Sequence, residues 1–407
     1  MKKSLLILAL APLLAAGGCT HTVEYDICVY GASSAGVIAA YSAAMQGKTV
    51  VVVEPGHRAG GLSSGGLGQT DIGNKQAVEG LSLDFYRRVG QHYGELEKWI
   101  FEPSVALDIF NDYITRGGVD VLYGHRILSA DKQGTRIESI RLQNTDKCFG
   151  RTVVRAKQYI DCSYEGDLMA RAGVSYVVGR EDNATYGETW NGVHMRPTHQ
   201  FPDGVDPYVI EGDSTSGLLW GISDGTLAAE GSGDDKVQAY NFRICLTDVA
   251  ENSIPIERPA DYDSTRYELL LRLIKANGSD NLGSYMHISP MPNRKTDINN
   301  NGGFSTDMIG MNHSYPEASY RERQQIFDAH LSYTLGLLYF IGHDARVPEK
   351  MRNEMLRWGL PKDEYTDNGH WTPQLYIRES RRMVGEYVAT QADCENRTTV
   401  DDGVGMA

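Results

Sequence analysis

The sequence predicts an α/β fold: a Rossmann-like parallel sheet with a mixed β and helical region inserted into it. Three stretches predict it. Residues 25–54, YDICVYGASSAGVIAAYSAAMQGKTVVVVE, read as one complete βαβ unit. A second glycine-rich run, Gly60-Gly61-Leu62-Ser63-Ser64-Gly65-Gly66-Leu67-Gly68, follows the second strand. Residues 159–173 then repeat the passage from strand to helix.

In the βαβ unit, Ile27 to Tyr30 form the short apolar run expected of a strand buried on both faces. Gly31 permits a tight turn off that strand, and Gly36 lets the next helix lie close to the sheet. Small, helix-favouring residues run from Val37 to Met45 and stop at Gly47. Val50 to Val53 give a second buried strand ending at Glu54, 18 residues beyond Gly36. Open amides at the helix start suit a pyrophosphate, and a carboxylate at Glu54 suits a ribose hydroxyl. Ser33 stands where the G-x-G-x-x-G fingerprint has its middle glycine. The whole unit in register therefore predicts dinucleotide binding of the FAD/NAD(P) type. In the second run, five glycines in nine residues allow close backbone approach to a cofactor, with Ser63 and Ser64 as donors.

Ahead of this unit, Lys2 and Lys3 precede an apolar run from Leu5 to Leu14 that is too short to span a bilayer. Ala15-Ala16-Gly17-Gly18-Cys19 then places small residues before a cysteine. This resembles a bacterial lipobox, implying cleavage before Cys19, lipidation of its thiol and a membrane-anchored, exported protein of the cell envelope. The alternative is a plain secretory signal; either way the chain is expected to be exported. A net charge of −14 in 407 residues argues against a nucleic-acid partner. The cysteines after Cys19 are five and widely spaced, so neither a disulfide framework nor an iron–sulfur cluster is expected.

Helices are expected at Leu83–Trp99 and Ser104–Arg116, then strands at Val119–Tyr123, Ile137–Leu142 and Thr152–Ala156. Asp167 begins a helix after the strand near Tyr159, either as a capping or first-turn acid or as a cofactor contact. Residues 174–260 carry turn signals throughout and suit a β-rich insertion, followed by helices at Asp261–Ala276, at Tyr320–Ile341 and from Pro348. Residues 293–301 read as a polar loop, either a solvated turn or a site for a hydroxylated substrate. Tyr376–Val388 is expected to be an amphipathic helix with Arg378 on its charged side. His370 is the acid–base candidate by residue type, beside the reading of a structural histidine. Arg378 is the candidate partner for an anion or a carbonyl oxygen.

VYGASSAGVIAA, AGGLSSGGLG and IDCSYEGDLMARAGVSYVVGRE, with VQAYNFRICLT, ISPMPNRKTDINN, STDMIGMNHSYPEASY and LYIRESRRMVGEYV, resemble an exported bacterial family of FAD-dependent oxidoreductases. Its members are distantly related to the flavin subunit of heterodisulfide reductases, and some are labelled "xanthan lyase". The resemblance runs from about residue 24 to 407 and implies that Gly31, Ser33, Gly36, Glu54, Gly61 and Asp167 match cofactor positions. It also implies a C-terminal return that closes the flavin site, whereas this chain stops at Asp402–Ala407 without a third glycine-rich flavin segment. The expected division is a lipoprotein signal over 1–19, the first part of the FAD domain over 24–173, and a substrate or cap region over 174–407. The expected activity is FAD-dependent hydride transfer on a small hydroxylated, sugar-derived molecule. A nicotinamide-only dehydrogenase and a non-catalytic envelope lipoprotein are the alternatives.

Overall fold

The computed structural model describes residues 20–147, 150–395 and 397. The leader with Cys19, Cys148 and the run Asp402–Ala407 lie outside the described residues.

Strand β1 (Thr20–Tyr30) leads into helix α1 (Ser34–Met45) and strand β2 (Val50–Glu54). Ser33 caps α1: its Oγ accepts from the Gly36 amide, an arrangement that contributes about 1 kcal/mol. Helices α2 (Gly80–His92) and α3 (Pro103–Gly117) follow, and Gly118 ends α3 in the left-handed region at φ 59°. The helix expected to reach Trp99 stops at His92, because Gly94 turns left-handed at φ 74° and the chain folds back so that Lys98 donates to the Tyr86 carbonyl. Then come β3 (Asp120–Tyr123), β4 (His125–Gln133), β5 (Arg136–Asn144), β6 (Arg151–Asp161) and α4 (Asp167–Arg171). The sequence reading did not anticipate β4, whose outer half is charged.

The six strands form one sheet in the order β3-β2-β1-β6-β5-β4. β1 pairs in parallel with β2 and β6, and β2 with β3, while β5 runs antiparallel to both β4 and β6. Alternation along β1 sends Val29 to the face covered by α1 and α3, where Val37, Ala40, Phe110 and Tyr113 bury it. Cys28 and Tyr30 face the other way, onto Ile127, Ile140 and Leu142 from β4 and β5. Each such aliphatic side chain gains roughly 1.5–3 kcal/mol on full burial, so β1 is the hinge of two cores at once.

Residues 174–260 hold β7 (Tyr176–Val177), α5 (Asn183–Tyr186), β8 (Ser253–Ile254), two 3₁₀ turns and single bridges; the expected β-rich insertion is mostly irregular chain. Its aspartates accept from nearby backbone amides, as Asp206 does from Tyr208 and Gly212, and this competes with strand pairing. Helix α6 (Glu268–Asn277) is capped by Gly278, and β9 (Met286–Met291) pairs with β10 (Lys295–Asn300). The stretch expected as a polar loop is thus half of a hairpin, with Lys295 and Asp297 buried in it. Helices α7 (Tyr320–His343) and α8 (Glu349–Met355) are followed by β11 (Leu360–Pro361), β12 (Arg382–Met383) and α9 (Gln391–Cys394). Tyr376–Val388 is not the expected amphipathic helix. Tyr376 bridges Asn241, β12 pairs with β7, and the arginines of this segment reach carbonyls and carboxylates on both sides. Packing of α6 and α7 on Tyr240, Phe242 and Ile244 makes the third core. No helix among the described residues is long and apolar enough to cross a membrane.

Candidate active site

At the carboxyl end of the parallel strands, β1 has β2 on one side and β6 on the other, the position where open α/β sheets leave a crevice. Gly31 turns there at φ +96°, and a Cβ on it would lie 2.7 Å from the Ser163 amide nitrogen. A Cβ on Gly36 would lie 1.9 Å from the Gly31 carbonyl oxygen, so α1 starts directly on the turn. Ser33 Oγ also donates to the Cys162 carbonyl at 2.8 Å and ties the turn to the end of β6. Ser34 and Ala35 reach the surface at the start of α1, where first-turn amides have no partner within the helix.

Glu54 ends β2 beside this turn. Its carboxylate accepts from the Ala32 and Gly56 amides, both at 2.7 Å. Burial raises its pKa, and the two amide bonds oppose that shift. Glu54 opens one end of a cleft of about 590 Å³, with Arg58, Arg126 and Thr145 beside it. Phe327 and Leu331 of α7, with Trp371 and Leu375, supply apolar wall elsewhere in the cleft.

Glu165, Asp167, Tyr315, Tyr320 and Arg323 also line the cleft. Asp167 sits at the first position of α4 and accepts two bonds from Arg323, at 2.8 and 3.0 Å, and one from Arg381 at 2.8 Å. Burial alone would raise its pKa, but the Arg323 charge and the hydrogen bonds from both arginines outweigh it and hold the carboxyl low. Glu165, two residues earlier, accepts from the Tyr315 hydroxyl at 3.1 Å. Burial, reinforced by the charge on Asp167, pushes Glu165 up to about 7. One wall therefore carries two carboxylates with opposite shifts, a pattern that separates a fixed anion from a proton-exchanging group.

Residues 26–407 match the family model described as FAD dependent oxidoreductase. The chain belongs to that family. No curated protein matches this chain. Solved structures similar to it include the myxobacterial chondrochloren halogenase CndH, described as a variant of FAD-dependent halogenases: 18% identity over 39% of this chain and 41% of that one, TM-score 0.31. THI4 of Thermovibrio ammonificans shares 17% identity over 39% of this chain and 66% of its own, TM-score 0.30. L-proline dehydrogenase from P. horikoshii shares 12% over 40% and 59%, TM-score 0.30. The chain thus spans less than two thirds of the length of each.

The residues of this chain fit the cofactor that its family name carries. Glu54 keeps acceptor capacity beyond its two amide bonds. Arg58 also lines the cleft, and its buried Nη2 has no hydrogen-bond partner among the described residues. The glycine run packs against protein along its length: a Cβ on Gly61 would meet the Tyr164 hydroxyl at 2.3 Å, and one on Gly66 the Arg243 carbonyl at 2.2 Å. Ser63 closes the 3₁₀ turn Gly61–Ser63 by donating its amide to the Gly60 carbonyl. His370 adopts φ +64° and bonds through Nδ1 to the Glu364 carbonyl at 3.1 Å; Asn368 and Trp371 line the cleft, and His370 does not. Arg378 also stands off the cleft, donating to the Ala239 carbonyl at 2.8 Å and to Asp307 at 3.1 Å. Hence Gly31, Ser33, Gly36, Glu54 and Asp167 converge on one end of the sheet, while His370 and Arg378 meet neither it nor each other. Sequence reasoning passed over Glu165, Tyr315, Arg323 and Arg58. The one local signal was the pair of acids in Tyr164-Glu165-Gly166-Asp167.

Proposed function

We propose that this family member oxidises a small hydroxylated molecule, of the sugar-derived class, by hydride transfer to FAD held in the cleft between Glu54 and Trp371. The observation that carries the reading is the Glu54 carboxylate at the end of β2, set on the wall of a cleft of about 590 Å³ at the sheet's carboxyl end. FAD, when bound, supplies the electron acceptor for the substrate's hydride. The chain's own residues do the rest. Glu54 accepts from ribose hydroxyls, the open amides at the start of α1 take the pyrophosphate, and Arg323 with Arg126 gives the cleft positive charge. Phe327, Leu331 and Trp371 exclude water from the apolar wall, which strengthens every polar contact inside. The test is the visible spectrum of the purified chain, followed by titration with FAD. Flavin bands, or saturable binding of added FAD, support the reading. A colourless chain that takes up no FAD overturns it.

We also propose that the protein is exported and anchored through lipid on Cys19, a reading that rests on the small residues ahead of that cysteine. Cys19→Ser should move the protein from the membrane fraction to the soluble one, and identical fractionation of both forms would refute the anchor.

A further inference from the structure

Glu165 and Asp167 stand two residues apart on one cleft wall, and among the described residues arginines pair directly with only one of the two carboxylates. Both terminal nitrogens of Arg323 reach Asp167, its Nε donates to the Tyr315 carbonyl, and Nη2 also reaches the Pro316 carbonyl. Arg381 divides its donors among Asp167, the Glu317 carboxylate and the backbone carbonyl of Glu165. Glu165 has no ion pair among the described residues, and its carboxylate accepts from the Tyr315 hydroxyl and its own backbone amide. The charged and titratable groups that face it are Asp167 on α4, Tyr315 on the 3₁₀ turn Tyr315–Glu317, Arg323 on α7, Tyr240 from the third core and the adjacent Tyr164. An ionised Glu165 there would add an uncompensated negative charge to the wall of a cleft read as receiving an anionic dinucleotide, while a neutral carboxyl would offer an O–H donor to an acceptor oxygen.

We propose that Glu165 is a ligand-contacting residue of this cleft that receives a pyrophosphate-bearing dinucleotide as the neutral carboxyl, taking up one solvent proton per dinucleotide above neutral pH. The proposal rests on the reading of the cleft as the FAD site. Burial beside Asp167 puts the proton within reach, since the free carboxyl exchanges it at about pH 7. The proton balance is simple: carboxylate, proton and anionic dinucleotide combine to a complex with a neutral carboxyl. Above pH 7 binding must therefore weaken by about tenfold for each pH unit. The Tyr315 bond stabilises the ionised form, so removing it must carry the transition to higher pH.

The experiment is FAD titration of the full chain by fluorescence quenching from pH 6 to 8.5, with calorimetry at pH 8 in two buffers of different ionisation enthalpy. Wild type should lose affinity above pH 7 and take up about one proton per FAD at pH 8. Glu165→Gln should bind with a flat profile and more tightly than wild type at pH 8. Tyr315→Phe should keep the proton uptake and shift the transition upward, which loss of packing alone would not do. A Glu165→Gln profile that tracks wild type, or wild-type binding without proton uptake, overturns the proposal and leaves the cofactor reading standing. Failure of wild type and variant alike to bind FAD at pH 6 overturns both.

Discussion

Arg323 grips both carboxylate oxygens of Asp167, at 2.8 and 3.0 Å, across 156 residues of sequence. The pair fastens the start of α7 to the start of α4, and so fixes the width of the cleft between the cap helices and the sheet. Tyr320 adds a second tie from α7, donating to the Ile127 carbonyl of β4 at 2.9 Å. Each wall is thereby held to the other by side chains that also face the cleft.

Arg323→Ala should destabilise the fold by up to about 3 kcal/mol, because it removes two of the three arginine bonds to a buried carboxylate and leaves Arg381 as its remaining cation. Asp167→Asn in the same chain should recover part of that loss, since no uncompensated charge is then buried. Chemical denaturation of the two single variants and the double variant measures the coupling. Additive losses would show that the pair does not join the two walls.

Glu54 calls for a gentler change than removal. Its carboxylate satisfies the Ala32 and Gly56 amides as well as facing the cleft. Glu54→Ala leaves two amides without an acceptor and should cost stability as well as cofactor. Glu54→Gln keeps one acceptor oxygen for one of the two amides, so it should cost less stability than Glu54→Ala while weakening FAD binding roughly ten- to hundredfold through loss of a charge-assisted bond. Unchanged affinity in Glu54→Gln, read by flavin fluorescence, would take Glu54 out of the site.

Lys295 gives a prediction with a pH sign. Its ammonium sits 2.7 Å from Glu102, 2.8 Å from Glu364 and 2.9 Å from Asp363, and the first two carboxylates are buried. Burial raises the Glu364 carboxyl, and Lys295 opposes that shift. In Lys295→Met the opposition is gone, so the folded-state value rises further above the unfolded one, which is about 4.3. Stability linked to Glu364 is then fully present below the unfolded value and is lost as pH rises through the folded one. The variant should lie closest to wild type in acid and fall about 3–5 kcal/mol below it at neutral pH. Denaturation at pH 5 and pH 8 checks this, and a gap that does not change with pH would contradict it.

How far the sequence carried is clearest in particular residues. β1, α1 and β2 were legible because each is set by neighbours in sequence: apolar runs, the turn glycine Gly31 and the terminal glycine Gly47. β10 was not, because two of its four buried positions are Lys295 and Asp297, whose partners Glu364 and Arg243 come from distant segments. A polar residue buried against its counter-charge has the composition of a surface loop. Tyr376–Val388 failed for a related reason. Its helical spacing was real, but Arg381 and Arg382 find carboxylates at Asp167 and Glu181 that only extended chain reaches. For the cleft, Glu54 could be found by its distance from Gly36. Glu165 takes its character from burial under distant segments, among them Tyr315, 150 residues along, whose hydroxyl donates to it, while the nearby charge of Asp167 adds to that shift.

The last prediction concerns what the second glycine run is for. Gly61 lies at φ +52°, where a side chain is strained, and its missing Cβ would sit 2.3 Å from the Tyr164 hydroxyl. That hydroxyl also accepts the Leu62 amide at 2.8 Å, so Tyr164 is pinned against the run and cannot retreat without breaking the bond. Gly61→Ala should therefore cost about 1–3 kcal/mol from overpacking, with a further 1–2 kcal/mol or so from the left-handed backbone. Tyr164→Ala in the same chain removes the obstructing ring, so the overpacking part should disappear and the backbone part remain. A Gly61→Ala chain that melts like wild type and binds FAD less well would instead place the cofactor, and not Tyr164, against this glycine.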